Sequence, residues 1–329
     1  MALANIWKIH SIVRVLPAHV ADRLNVANTF VGGITNVAMP VQANVQTQVP
    51  AGQIYATSGY ISFQSTDVTF TTTLAKALID MVGVSGACFA PGGDELDIYL
   101  AKHDCSGPVA GANHRRYTIK KGILHLTSLS CEHQGNLEVS AQMRAVYDGT
   151  NDPVEVTDSV ALPGDSLLGD LTEQWTLSTS ADNSVNAQLV GSKRSVSVDF
   201  GVNTSTQGSD SDAFDTFASI DSIQPVLTCN GVDPTWFDHN PANGLGLGST
   251  GAVGTHANTA FSFRKRDGAG GFVSDVTAEH IQMTAYGPVY FDQLLSGSGQ
   301  EAATTSFRMQ CLKDGNGNPP LQFDTATAI

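Results

Sequence analysis

Two histidine–cysteine pairs form the densest set of soft ligands in this chain: His103-x-Cys105 and Cys131-x-His133. Residues two apart on a strand share a face, so two adjacent strands carrying one pair each would offer zinc four donors. The spacing matches no common zinc module, and buried cysteines beside hydrogen-bonded histidines explain the same residues; that ordinary reading is favoured. Asp314-Gly-Asn-Gly-Asn318 and Asp210-Ser-Asp212 begin like calcium loops but lack the bidentate glutamate that should follow. A turn accounts for the first and acidic capping of a helix for the second. Gly246-Leu-Gly-Ser-Thr-Gly251 spells a phosphate cradle, yet no strand leads into it and no helix start follows. The neighbouring carboxylates Asp94 and Glu95 read as a solvated pair. Neither a Gly-x-Ser-x-Gly elbow nor a Gly-Lys-Ser/Thr loop is present. The expectation is a protein that is not an enzyme, with no catalytic residue, cofactor or metal.

Charge narrows the class further. The chain has 329 residues and a formal net charge of −14, and residues 1–160 carry ten basic against thirteen acidic residues while the remainder carries seven against eighteen. Such a surface repels phosphates, which excludes a nucleic-acid-binding module. The basic spots Arg115/Arg116, Lys120/Lys121, Lys193/Arg194 and Arg264-Lys-Arg266 are small, and suit contacts with acidic surface on another copy. Five cysteines without a regular framework fit a reducing compartment, and no run of eighteen apolar residues suggests a membrane span.

The elements that must position these residues are strands. Gly, Thr, Ser, Asn and Val are plentiful and charged residues make up only 15%, a mixture suited to strands joined by tight turns. An internal echo organises them: Val139-Ser-Ala-Gln-Met-Arg-Ala-Val-Tyr-Asp-Gly-Thr-Asn-Asp-Pro153 recurs as Thr305-Ser-Phe-Arg-Met-Gln-Cys-Leu-Lys-Asp-Gly-Asn-Gly-Asn-Pro319, without a gap and 166 residues later. In each copy a strand runs into Asp-Gly, and a proline soon ends ladder pairing. Duplication divides the chain into 1–163 and 164–329, with the linker Leu162-Pro-Gly-Asp-Ser-Leu-Leu-Gly169 between them.

Each half reads as a mainly-β, sandwich- or barrel-like domain with one short flanking helix. The helices are placed at Leu74–Val82, from its i, i+4 spacing, and at Asp212–Ile223, where Phe214, Phe217, Ile220 and Ile223 recur every three residues. Strands are expected at Asp67–Thr73, Ser195–Phe200, on both sides of Gly122 within Arg116–Thr127, and at Ala260–Arg266, with a hairpin tip at Gly268–Gly271. Gly32–Gly59 and Asn230–Asn258 read as long loops able to reach another subunit. Trp175, Trp236 and Phe237 are candidates for a subunit contact or for their own core, the core being favoured.

The segments Lys193-Arg-Ser-Val-Ser-Val-Asp-Phe-Gly201, Phe217-Ala-Ser-Ile-Asp-Ser-Ile-Gln-Pro-Val-Leu227 and Ala278-Glu-His-Ile-Gln-Met-Thr-Ala-Tyr-Gly287 resemble the second half of bacteriophage tail tube proteins. The resemblance covers mainly residues 171–323, and the opening hundred residues match the family poorly. It implies a virion protein made in the host cytoplasm and stacked in rings along a hollow tail, in contact with other tail proteins. Most such rings hold six single-domain subunits, so a duplicated chain implies three. It also implies strands pairing between neighbours and a lumen through which genomic DNA slides without specific binding. A capsid or capsid-decorating protein, or a receptor- or glycan-binding virion protein, shares the acidic, β-rich profile and stands as the alternative.

Overall fold

The computed structural model describes residues 6–51, 54–178, 182–185, 188–189, 192–208, 212–232, 258–297 and 303–329. The first half runs β1 (Ile6–Val15), β2 (Thr29–Val31), β3 (Ile34–Ala38), β4 (Val41–Gln48), β5 (Ser58–Thr72), helix α1 (Ala75–Val82), β6 (Ala87–Phe89), β7 (Glu95–Asp104), β8 (Gly107–Pro108), β9 (His114–Ile119), β10 (Gly122–Glu132), β11 (Glu138–Ala145) and β12 (Glu155–Val160). The second runs β13 (Trp175–Leu177), β14 (Ser184–Val185), β15 (Gln188–Leu189), β16 (Lys193–Asp199), β17 (Val202–Gln207), β18 (Phe217–Ile223), β19 (Val226–Gly231), β20 (Thr259–Lys265), β21 (His280–Ala285), β22 (Pro288–Ser296), β23 (Thr304–Cys311) and β24 (Leu321–Thr327). The fold is mainly β, as the composition implies. No helix among the described residues is long and apolar enough to cross a membrane.

Strand alternation builds the core. In β11 the side chains of Val139, Ala141, Met143 and Ala145 are buried, and in β23 Thr305, Phe307, Met309 and Cys311 take the same places. These faces join one apolar cluster that reaches from Ile12, Phe70 and Ile98 in the first half to Leu227, Phe261 and Met283 in the second. Helix α1 buries Leu78, Ile79, Met81 and Val82 in that cluster. It stops at Gly83, whose φ of 69° favours glycine and whose N–H donates to the Ile79 carbonyl at 2.8 Å.

The two halves repeat one strand order. The main path of the ten-stranded sheet is β22-β23-β19-β16-β10-β11-β5-β3, two quartets in tandem: β10-β11-β5-β3 from the first half and β22-β23-β19-β16 from the second. The facing sheets are ordered β12-β9-β7-β1-β2 and β24-β21-β20-β14-β15. Register repeats as well. Gly122 pairs with Ala145 and Leu129 with Val139; 166 residues later Pro288 pairs with Cys311 and Leu295 with Thr305. The buried ring of His114 accepts the Lys102 N–H on Nδ1 at 3.0 Å, and that of His280 accepts the Lys265 N–H at 3.1 Å. Both echo turns are closed by an aspartate: Asp148 accepts from the N–H groups of Thr150 and Asn151, and Asp314 from those of Asn316 and Asn318.

Three expectations change. Gly32–Gly59 is not a loop: β3, β4 and the start of β5 turn it into a long hairpin, as the alternate spacing of its valines allows. Asp212–Ile223 is not a helix: it holds the return of a second hairpin, in which β18 pairs with β17. In a strand a period of three sends successive apolar residues to opposite faces, so the helical spacing is coincidental and pairing to Val202–Gln207 overrides it. The hairpins match residue for residue, because Asn44 faces Phe63 and Val45 faces Ile61 across a register shift that recurs between Asn203/Ser222 and Thr204/Ile220. Thirdly, Asp94 and Glu95 are not simply solvated, since Asp94 pairs with Arg14 at 2.6 Å and Glu95 with Arg23. The linker carries a short 3-10 turn at Asp165–Leu167, and the buried Leu168 packs with Val13, Val15, Phe30 and Tyr99 of the first half.

Candidate functional site

The metal candidates separate. His103 lies on β7 with Cys105 exposed in the turn after it, whereas Cys131 and His133 belong to β10 and its end in the other sheet. Burial pushes the Cys131 thiol up to about 11, so it stays protonated and behaves as core. Among the described residues no three His, Cys, Asp or Glu side chains group as a metal set. Asp314 serves its turn, as anticipated: hydrogen bonds from Asn318, then Asn316, hold its carboxyl below the usual carboxylate range. Trp236, Phe237, Asp210, Gly246–Gly251 and nearly all of Asn230–Asn258 lie outside the described residues.

What the repeat does bring together is a joint between its two units. The last strand of the second quartet, β16, pairs antiparallel with the first strand of the first quartet, β10, from Ser128/Asp199 to Glu132/Ser195. The joint is buttressed on both sides. Leu137 N–H donates to the Trp175 carbonyl at 2.7 Å, and Phe200 N–H to the Thr127 carbonyl at 3.0 Å. Trp175 is 1% exposed and its Nε1 donates to the Glu279 carbonyl at 3.1 Å. The turn between β17 and β18 lies over the first half, where the Ala213 carbonyl accepts from Gln64 N–H at 3.0 Å and the Asp215 carbonyl from Tyr147 N–H at 2.8 Å. A cleft of about 720 Å³ opens beside the joint, lined by His133, Gln134, Lys193, Arg266 and Phe272 among others.

Each part of this joint has a counterpart that faces outward. The equivalents of β10 and β16 are β22 and β3, and among the described residues these two strands end the sheet on opposite sides. Trp7 faces Lys102 as Trp175 faces Lys265, but Trp7 is 40% exposed. Leu129 is fully buried at the joint, whereas its equivalent Leu295 is 42% exposed. The first hairpin ends in Ile54 and Tyr55, 83% and 75% exposed.

Sequence reasoning singled out Gly32–Gly59, which holds β3, Ile54 and Tyr55, as a segment able to reach another subunit, but it missed Trp7 and Leu295. Trp7-Lys-Ile9 and Trp175-Thr-Leu177 were the available signal, but the first lies in the opening segment that matches the suggested family poorly. An edge strand leaves a row of backbone N–H and C=O groups available for pairing with another strand. No family model matches the chain, and no curated protein matches it.

Proposed function

We propose that this chain is a tail tube subunit of a long-tailed bacteriophage, a structural virion protein whose rings stack into a conduit for DNA. The observation that carries the reading is the head-to-tail order of the quartets, closed once inside the chain and, among the described residues, open at β3 and β22. A contact of this kind is heterologous, and repeating it yields a closed ring or a filament. Resemblance to the tail tube family supports closure at three copies, each supplying two quartets.

Eight path strands from each of three copies would make a barrel of twenty-four. With strands about 4.8 Å apart and tilted about 40°, its radius is about 24 Å, beyond the size at which barrels hold an aqueous channel. The sheet face turned away from the core would line that channel. It presents hydroxyls such as Thr71, Ser128, Ser130, Ser140, Ser197 and Thr228, and Asp67 on it is paired with Arg144 at 2.8 Å. Exposed Glu132, Glu138 and Asp199 outnumber the exposed Arg308 on the same face and tilt it negative, which suits passage of DNA without capture. Other tail proteins would meet the ends of the stack.

Negative-stain electron microscopy of the purified protein over a concentration series tests the reading. Hollow tubes of stacked rings with threefold or pseudo-sixfold end views are the expected result. Closed shells would favour a capsid role, and monomers at every concentration, in the presence of tail-initiating components, would overturn it.

A further inference from the structure

We propose that copies of this chain join by reproducing the internal joint, with Trp7, β3 and the first hairpin tip of one copy seated on the second half of the next. The inference rests on the ring reading only in taking a second copy as the partner; the contact itself is derived from the chain's own repeat. Every acceptor surface it needs is the equivalent, in the second half, of a surface already occupied in the first.

The strand register follows directly. Val196 and Ser197 face Cys229 and Thr228 on their inner side just as Val37 and Ala38 face Phe70 and Thr69, and a one-residue shift precedes each pair. Val196, Ser197 and Val198 face Cys131, Ser130 and Leu129 across the joint. Moving each residue to its counterpart places Val37 opposite Gly297, Ala38 opposite Ser296 and Met39 opposite Leu295 of the neighbouring copy. Leu295 then gains the cover that Leu129 already has.

Trp7 takes the place of Trp175. Leu137 and Ala303 immediately precede the equivalent strands β11 and β23, so the Trp7 carbonyl would accept from the neighbour's Ala303 N–H. In the single chain the Arg115 guanidinium lies over the Trp7 indole, 5.5 Å from the ring centroid, and the side chain stays 40% exposed. A large exposed ring that is buried at the equivalent position is the kind of residue that dominates interface energetics. The hairpin tip completes the contact. Ile54 and Ala56 correspond to Ala213 and Asp215, and the donors Gln64 and Tyr147 correspond to Ile223 and Lys313. The first tip therefore lies sideways across the adjoining half of the same ring.

The test is a disulfide trap. Ala38→Cys and Ser296→Cys are introduced together after Cys88→Ser and Cys105→Ser remove the two exposed thiols. Under assembling conditions the expected product is an intermolecular disulfide giving covalent dimers and closed trimers, with much weaker trapping when Leu295→Cys replaces Ser296→Cys. Trp7→Ala should leave the thermal midpoint of the monomer unchanged and raise the concentration needed for assembly about 30-fold. Tubes that form without the disulfide, or a Trp7→Ala protein that assembles like the parent, would overturn the contact and spare the tube reading. Cross-linked rings that never stack would uphold the contact and remove the tube reading. Monomers without cross-link under every condition would overturn the contact as well.

Discussion

Trp7 and Trp175 show how one residue type in one local setting acquires two meanings. Both sit opposite a lysine at the far end of β7 or β20, yet only Trp175 has the other half of the chain packed over it. Truncating a buried tryptophan removes transfer energy and leaves a cavity, so Trp175→Ala should lower unfolding free energy by about 3–5 kcal/mol. Urea denaturation of the monomer checks this, and a loss below about 1 kcal/mol would mean that the joint is loosely packed. Histidines add to the acid sensitivity of the same monomer. Burial holds the pKa values of His114 and His125 below the ordinary imidazole value. The native state therefore binds fewer protons than the unfolded chain once the pH drops below about 6.5. Stability is complete above that value and is lost as the pH falls toward the folded pKa values, by up to about 1.4 kcal/mol per pH unit for each ring. The urea midpoint should fall between pH 7 and pH 5, and fall less in His125→Gln; a flat profile would show that neither ring is held neutral.

The two hairpins carry the argument at the level of elements. Each consists of equal strand segments and an equal tip, but Ser58–Thr66 and Phe217–Pro225 share almost no residue identity. Replacing residues 49–57 with a two-residue Asn-Gly turn should preserve the fold, because the described residues of the tip are exposed and Gln48 stays opposite Ser58, so that β4 and β5 retain their register. Assembly should weaken sharply, since the tip's carbonyls would no longer reach the next copy. Circular dichroism would verify the fold, and sedimentation over a concentration series would read assembly. Undiminished assembly would place the tip outside the contact. The same hairpins mark how far the sequence was legible. The echo from Val139 was visible because Asp-Gly and proline are demanded by a turn in both copies. Helix α1 was visible from its spacing. Upstream, the equivalent positions Ser58 and Phe217 are 159 residues apart, unlike the 166 separating β11 from β23, so loops of unequal length hid the repeat. Strands also demand only alternation, which Ser, Thr and Val satisfy in many orders, and strand partners are set by contacts distant in sequence. The joint, which exists only between halves, left no local signature at all.

For the whole molecule, the repeat raises a thermodynamic question that duplication alone does not answer. A boundary at residues 163 and 164 suits the sequence, and two tandem domains joined by a flexible linker would unfold in two steps. The joint argues for one. Strands β10 and β16 pair over five residue positions in the middle of a continuous sheet, and one apolar cluster includes side chains from both halves. The ties also cross in both directions. Ala213 and Asp215 of the second half hold Gln64 and Tyr147 of the first, while Lys76 on α1 donates to the Thr325 carbonyl at 3.0 Å. Unfolding either half alone would expose the edge of a central strand and the apolar surface around Trp175, so the partly unfolded state gains little. Calorimetry of the monomer should show a single transition in which the van't Hoff and calorimetric enthalpies agree. The same coupling would make ring growth a repetition of folding, because each new copy would cover Trp7 and Leu295 as the fold already covers Trp175 and Leu129. Two separate transitions would restore the halves as independent units, reduce the β10–β16 pairing to a docking contact, and weaken the case that the outward edges can repeat it.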